Sequence, residues 1–190
     1  MQSSILTRPP HQRSAPRRWL VCLDLQRDYV IPGRPRYTAG NADVASICAR
    51  VLGLARDQNW RIVHSQVREE DTTAWPRELF RAPIEGLRPL ITEPVFFRRE
   101  LSAFANAGFA AELRAARGAE VYLIGFSLAD TCLATALAGV DEGLSLTLVD
   151  DAIGVGDEPA EAAATRTVLR RFVQLQSSHR LEARELESVF

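Results

Sequence analysis

Cysteine, net charge and long hydrophobic runs are all scarce in this sequence of 190 residues. Its three cysteines, Cys22, Cys48 and Cys132, are an odd number without the spacing of metal ligands. The formal net charge is −1, so no overall field attracts nucleic acid or a membrane surface. No uninterrupted apolar stretch approaches about 18 residues, the length that a membrane span requires. With no secretory signal pattern, these absences predict a cytoplasmic protein that binds neither nucleic acid nor membrane.

The remaining composition is that of an ordinary globular domain preceded by a distinct segment. Hydrophobic residues make up 46% and charged residues 25%, and the length suffices for one domain with a sizeable core. Residues 1–18 are rich in proline, serine and arginine and contain no acidic residue. We expect this segment to form a flexible tail or an arm on a neighbouring subunit, and residues 19–190 to form the domain.

Short apolar runs alternate with helical patterns along the predicted domain. The strand-like runs are residues 19–24, 60–65, 94–97, 119–124, 144–149 and 173–176. Apolar residues recur at helical spacing in residues 41–57, 109–116, 130–141, 158–172 and 182–189. This alternation predicts an α/β fold, a single-domain open parallel sheet of about six strands with helices on both faces. In such sheets ligands bind at the carboxyl ends of the strands.

Chemically versatile side chains stand at the ends of three predicted strands. Asp24 ends the first strand, Arg98 ends the third, and Thr131 and Cys132 lie beyond the fourth, near the start of a helix. Partial burial raises the pKa of a carboxylate and suits it to proton transfer, whereas a nearby guanidinium holds it ionised. The N–H groups at a helix N-terminus stabilise a thiolate or a developing oxyanion. Together these residues predict acyl-transfer or hydrolytic chemistry on a small molecule.

Each of these residues also has a purely structural interpretation. Asp24 at a strand end is the kind of residue that caps a loop or helix, and Arg98 lies beside Arg99 in a charged stretch that solvent would cover. Cys132 shares a helical stripe with Ala136, which favours a buried structural thiol. Local sequence alone therefore leaves open whether the cysteine reacts.

Four segments, in this order and at this spacing, resemble the isochorismatase-like hydrolases, the cysteine hydrolase superfamily. They are LVCLDLQRDY at 20–29, EPVFFRRELSAF at 93–104, GFSLADTCLATA at 125–136 and VDDA at 149–152. The resemblance covers most of the chain, from about residue 19 to the last strand. It implies a Rossmann-like sandwich with an active site at the carboxyl edge of the sheet.

The resemblance also implies a catalytic triad of Asp, Lys and Cys in the amide-cleaving members, and this chain departs from it twice. Asp24 matches the aspartate, but Arg98 stands where the family has lysine. Thr131 stands at the nucleophile position, counted from either side, and Cys132 comes one residue later. One residue is about 100° around a helix, so Cys132 should point elsewhere. Isochorismatases, which cleave a vinyl ether without a cysteine nucleophile, resemble this arrangement but keep the lysine.

The resemblance guides the choice of binding residues as well. The residues expected to contact substrate are Gln26, Tyr29, His64, Trp75, Phe104 and Leu128. Residues 69–89 form a predicted loop in which Trp75 selects substrate or simply covers the core. His64 has the alternative of a structural role. No cofactor is implied, and no metal, because the second strand lacks the Asp-x-His element of the metal-binding nicotinamidases.

Three hypotheses about function follow. In the first, the protein is a small-molecule hydrolase in which Asp24 is the general acid or base, Arg98 is its electrostatic partner or anchors a substrate carboxylate, and Thr131 holds an oxygen. In the second, a local shift makes Cys132 the nucleophile of a cysteine amidohydrolase. In the third, the protein is a catalytically silent binding or assembly subunit. The resemblance also implies a homo-oligomer.

Overall fold

A computed structural model describes residues 18–68 and 81–187, and its strands form one sheet. The six strands within these ranges are β1 (Arg18–Leu23), β2 (Arg61–Val67), β3 (Val95–Arg98), β4 (Glu120–Gly125), β5 (Ser145–Ile153) and β6 (Gln174–Gln176). Their order is β3-β2-β1-β4-β5-β6, and all neighbours pair in parallel. The predicted parallel α/β sheet is confirmed.

Helices cover both faces of this sheet. The five α-helices of the described residues are α1 (Asn41–Asp57), α2 (Ala107–Arg114), α3 (Leu133–Asp141), α4 (Pro159–Leu169) and α5 (Ser178–Glu187). Leu20 of β1 packs with Cys48 of α1, whereas Val21 packs on the opposite face with Phe109 of α2 and Ala136 of α3. Because β1 is buried on both faces, its sequence is a continuous apolar run instead of an alternating one.

Tertiary contacts set two element ends that the sequence pattern places differently. Strand β5 continues to Ile153 instead of ending at residue 149. Helix α5 begins at Ser178 instead of residue 182, because both Ser178 N and Ser178 Oγ donate hydrogen bonds of 2.7 Å to the Asp151 carboxylate. Asp151 precedes Ser178 by 27 residues, so no local pattern indicates this N-terminal stabilisation.

Two predictions fall largely outside the described residues and stay predictions. The N-terminal tail corresponds to residues 1–18, of which only Arg18 is described, as the first residue of β1. Trp75 belongs to residues 69–80, which are likewise outside. Within the described ranges, no helix is long and apolar enough to cross a membrane.

A buried ionic cluster joins α1 to the segment before β3, and His64 belongs to it. Glu93 accepts hydrogen bonds from Arg56 Nε at 2.8 Å and from Leu90 N at 2.9 Å. His64 Nε2 lies 3.0 Å from Glu93 Oε2, and His64 is 1% exposed. Burial alone would raise the pKa of Glu93, but the hydrogen bonds from His64, Arg56 and Leu90 outweigh burial and lower this pKa to about 2.

Replacing Glu93 with Gln is expected to lower the free energy of unfolding by about 2 kcal/mol at neutral pH, because Arg56 and His64 lose a charged acceptor. The folded-state pKa of Glu93, about 2, lies below the usual value, so its contribution is present at neutral pH and fades as pH falls through the acidic range. Denaturant titrations at neutral pH and at about pH 3 measure this difference. The exposed Glu85→Gln variant is the control. A Glu93→Gln deficit that is equally large at both pH values would contradict the assignment.

Candidate active site

The candidate site lies at the carboxyl edge of the sheet, where the chain order reverses between β1 and β4. Neighbouring loops diverge at such a point and leave a cleft. At the floor of the cleft, Gly125 ends β4 with φ 128°, and Phe126 N donates a hydrogen bond of 3.0 Å to Leu23 O. A Cβ atom at position 125 would overlap the Leu23 carbonyl. Glycine therefore allows the two strands to meet directly beneath the site.

Asp24 leaves the end of β1 in a left-handed backbone conformation, with φ 51°. Its backbone N–H still donates to Ser65 O at 2.9 Å, which ties the turn to β2. Val67 N donates to Asp24 Oδ1 at 2.8 Å, and Asp24 is only 1% exposed. Non-glycine residues adopt this conformation rarely, and such residues cluster at functional sites. The backbone thus directs one carboxylate oxygen, Oδ2, toward the groups across the sheet edge.

Three side chains of the described residues donate to Asp24 Oδ2. Arg98 Nη2 lies at 2.6 Å, Thr131 Oγ1 at 3.1 Å and Tyr29 Oη at 3.4 Å. Arg98 Nη2 also donates to Thr131 Oγ1 at 3.2 Å, and Arg98 Nη1 donates to Glu100 O at 2.7 Å. The structure therefore brings Arg98 and Thr131 to Asp24, although they lie 74 and 107 residues after it in the sequence.

The electrostatics of Asp24 are set by two opposing effects. Burial is the larger effect and raises the pKa of this carboxyl, although the charge and hydrogen bond of Arg98, the Thr131 hydroxyl and Val67 N–H act in the opposite direction. The guanidinium that lies beside it, that of Arg98, is itself buried. The result is a desolvated carboxylate held beside a permanent cation, which suits it to exchange a proton with a neighbour.

Thr131, and not Cys132, is the residue that contacts Asp24. Both lie in a single π-helical turn, Leu128–Cys132, that precedes α3 and follows the cis peptide bond between Phe126 and Ser127. Cys132 is 0% exposed and belongs to the apolar cluster beneath α3. Burial, and then the nearby Asp24 carboxylate, raise the pKa of the Cys132 thiol well above its usual value. In this arrangement Cys132 is a core thiol.

A cleft of about 420 Å³ opens above Asp24, Arg98 and Thr131. Residues that the sequence pattern did not single out also line it: Pro35, Arg36, Tyr37, Thr38, Asn41, Val67, Arg99, Glu100, Leu101, Ser127, Asp130, Val155, Gly156 and Asp157. Most of them lie in irregular segments that carry no periodic signal. The one available indication is position, because segments that follow the strands of a parallel sheet gather at this edge.

Of the residues predicted to bind substrate, Tyr29 lines the cleft. Gln26 lines a small neighbouring pocket that also includes Tyr29. His64, Phe104 and Leu128 are not among the lining residues of either. Gln26 Nε2 donates to the carbonyls of Val67 and Arg81 and thereby ties down the segment that begins at residue 81. His64 pairs with Glu93, as described above.

Phe104 and Leu128 face the core instead of the cleft. The ring of Phe104 packs edge-to-face against Phe109, with centroids 5.1 Å apart. Leu128 is 1% exposed and belongs to the same apolar cluster as Phe109. These two residues, like Gln26 and His64, have structural partners within the protein, and their contact with substrate stays a prediction. Among the described residues, no three His, Cys, Asp or Glu side chains are grouped so as to hold a metal ion.

Comparison with known proteins gives consistent findings. The Isochorismatase domain family model matches residues 18–180. The chain is 27% identical over 154 residues to maleamate amidohydrolase of Pseudomonas putida, and the match covers 71% of each protein. An isochorismatase structure from Pseudomonas putida KT2440 aligns with a TM-score of 0.74 at 24% identity, over 91% of this chain and 93% of that one. A cysteine hydrolase from Pseudomonas syringae pv. phaseolicola aligns with a TM-score of 0.78 at 19% identity over 100% of both chains.

Proposed function

The chain belongs to the isochorismatase family of hydrolases, and from that premise we propose that it hydrolyses a small molecule in the cleft without a cysteine nucleophile. The observation that carries this proposal is the contact between Thr131 Oγ1 and Asp24 Oδ2 at 3.1 Å, with Cys132 fully buried beside it. A thiol that is desolvated and lies near a carboxylate charge forms little thiolate. The attacking group must then be an oxygen.

In the proposed mechanism, Asp24 is the general base and water is the nucleophile. Thr131 Oγ1 holds the water next to Asp24 Oδ2, and the carboxylate takes its proton as the oxygen attacks the substrate carbon. The charge of Arg98 favours the ionised form of Asp24 before the attack, but a guanidinium is not a proton donor near neutral pH. Leu128 N donates to Gly154 O and Cys132 N to Ser127 O, so the backbone N–H groups of residues 129–131, between them, supply hydrogen bonds to the developing oxyanion.

The proposed substrate is a small amide that carries a carboxylate. Maleamate amidohydrolase is named for the hydrolysis of such an amide, and its likeness to this chain supports that class. Arg36 and Arg99 line the cleft, and guanidinium groups bind carboxylates in a planar, two-pronged manner. Asp130 and Asp157 line it as well and are acceptors suited to the N–H groups of an amide.

A second candidate, a catalytically silent binding subunit, is favoured by one observation. Asp24 Oδ2 already accepts hydrogen bonds from Arg98 at 2.6 Å and from Thr131 at 3.1 Å, so its charge is well compensated before any substrate arrives. In this alternative the Asp24 and Arg98 pair stabilises the fold and the cleft binds a ligand without cleaving it. The two candidates differ in whether any amide, ester or vinyl ether is turned over.

Variants at the two neighbouring positions test the proposal. Ammonia release is measured for maleamate and a panel of related amides, together with product formation from carboxylate-bearing esters and vinyl ethers. Thr131→Val is expected to lower kcat/KM by about 100-fold, because the isosteric side chain cannot hold the water, whereas Thr131→Ser stays within a few-fold of the parent. Cys132→Ala is expected to leave kcat/KM unchanged.

Each contrary result points to one of the alternatives. Loss of turnover in Cys132→Ala, with the folded structure retained, would support Cys132 as the nucleophile. Binding of a panel member without turnover by the parent protein would support the silent subunit. Full activity of Thr131→Val would show that the threonine hydroxyl has no part in the reaction.

A further inference from the structure

The proposed mechanism leaves one proton unassigned, and this inference rests on that mechanism. When water attacks, Asp24 gains the proton of the water, while the departing nitrogen or oxygen of the substrate needs a proton of its own. In the triad of the amide-cleaving relatives, a lysine stands at the position of Arg98. A lysine ammonium can donate a proton, whereas a guanidinium does not do so near neutral pH. A second side chain with a dissociable proton is therefore required near Asp24.

Tyr29 meets this requirement by position. Its hydroxyl lies 3.4 Å from Asp24 Oδ2, the longest of the three side-chain hydrogen bonds that this oxygen accepts in the described structure. The Tyr29 ring stacks on Phe126, with centroids 5.1 Å apart and an interplanar angle of 14°. Tyr29 also lines the cleft. Stacking on Phe126 therefore fixes the ring of Tyr29. Because its hydrogen bond to Asp24 is the longest of the three, the Tyr29 hydroxyl is the donor that most easily turns from the carboxylate to a substrate atom.

Arg36 contacts the same hydroxyl. Arg36 Nη1 donates a hydrogen bond of 3.2 Å to Tyr29 Oη, and its guanidinium carbon lies 5.6 Å from the centre of the Tyr29 ring. A donor at this place cannot take a proton from the phenol, but it stabilises the phenolate that forms once the phenol has given its proton away.

We propose that Tyr29 is a catalytic residue that protonates the leaving group, and that Arg36 is the positioning residue that holds and stabilises it. Water gives one proton to Asp24 and its oxygen forms a bond to the acyl carbon. The bond to the leaving nitrogen or oxygen breaks, and its electron pair takes the proton of Tyr29. The proton on Asp24 then passes to the Tyr29 phenolate through their hydrogen bond. The sum is one water consumed, one acid and one amine or alcohol formed, and both side chains restored.

The charges around Tyr29 are compatible with this role. Burial, and then the Asp24 carboxylate, raise the pKa of the Tyr29 phenol, while Arg36 and Arg98 act in the opposite direction. Tyr29 is therefore protonated at neutral pH, as a donor must be. Activity that depends on this proton falls as pH rises through the pKa of the phenol, and because this pKa is raised, the resulting alkaline limb of the parent lies above the ordinary tyrosine range.

The first test compares two buried tyrosines. Tyr29→Phe keeps the ring on Phe126 and removes only the hydroxyl, so kcat is expected to fall by about 100-fold with little change in KM. Tyr122→Phe removes a hydroxyl that bonds Glu120 and Arg184, and it is expected to retain the parent kcat. The assay uses the best substrate of the panel above.

The second test follows the alkaline limb, which a merely structural role would not move. Difluorotyrosine at position 29 is a stronger acid of nearly the same shape, so the limb is expected to shift to lower pH. In the protein that carries difluorotyrosine at position 29, Arg36→Gln removes the cation next to the phenol and is expected to shift the lowered limb back to higher pH, whereas Arg36→Lys is expected to shift it less. Difluorotyrosine at position 122 is the control and is expected to leave the limb in place.

The outcomes separate this inference from the proposed function. Full activity and an unchanged limb in Tyr29→Phe, with Asp24→Asn inactive, would overturn the role of Tyr29 alone. Full activity in Asp24→Asn would overturn the general base and this inference with it. If the pH of the alkaline limb changes neither with difluorotyrosine at position 29 nor with Arg36→Gln, the limb belongs to another group and the inference is contradicted.

Discussion

Asp24→Asn is expected to lower kcat/KM by about 1,000-fold or more, because an amide cannot take the proton of the attacking water. The same change also leaves Arg98 as a buried cation without its partner at 2.6 Å. Removing one member of a buried pair typically costs about 3–5 kcal/mol of stability. Loss of activity in the single variant would therefore mix a chemical effect with a folding effect.

A double variant separates these two effects. Asp24→Asn combined with Arg98→Met removes both charges and fills the space with an apolar chain, so it is expected to recover much of the lost free energy of unfolding. It is not expected to recover any turnover. Thermal or denaturant unfolding and kcat/KM are measured for the parent, both single variants and the double variant. Activity that returns together with stability would mean that Asp24 serves the fold and not the reaction.

The fold was predictable because each element carries its own periodic signal. Strand β1 reads as buried on both sides, and α1 has the same bounds, Asn41–Asp57, in the pattern and in the structure. The end of β5 and the start of α5 differ from the pattern, and both depend on partners remote in sequence. Ser178 is held by Asp151, so the start of α5 follows from the sheet and not from the helix sequence.

The candidate site was predictable in part, for a similar reason. The spacing around Gly125 and Thr135 directs attention to Thr131, and the structure places its hydroxyl against Asp24. The residues around Arg36 that line the cleft carry no such signal. They lie in an irregular segment, and its neighbours cannot be predicted until the arrangement of the strands is known. His64 is the converse case, because its partner Glu93 lies 29 residues away and satisfies it inside the protein.

Gly125→Ala is expected to prevent folding or to lower the free energy of unfolding by more than about 4 kcal/mol, since the new methyl group would overlap the Leu23 carbonyl. The backbone cannot yield easily, because Phe126 N bonds this same carbonyl and Asp24 follows directly after Leu23. Gly118→Ala is the matched control. Gly118 also has a positive φ, 82°, but nothing lies within 4 Å of the added carbon, so a cost of only about 1–2 kcal/mol is expected.

Denaturant unfolding of the two glycine variants measures the difference. Equal, small losses for Gly125→Ala and Gly118→Ala would show that β1 and β4 are able to separate at the site. If Gly125→Ala folds, we expect it to lose both stability and activity. The shift that accommodates the methyl group moves the end of β1, and Asp24 follows directly after that end. Turnover should then fall further than stability alone explains, because the carboxylate would lose its distance to Thr131 and Arg98.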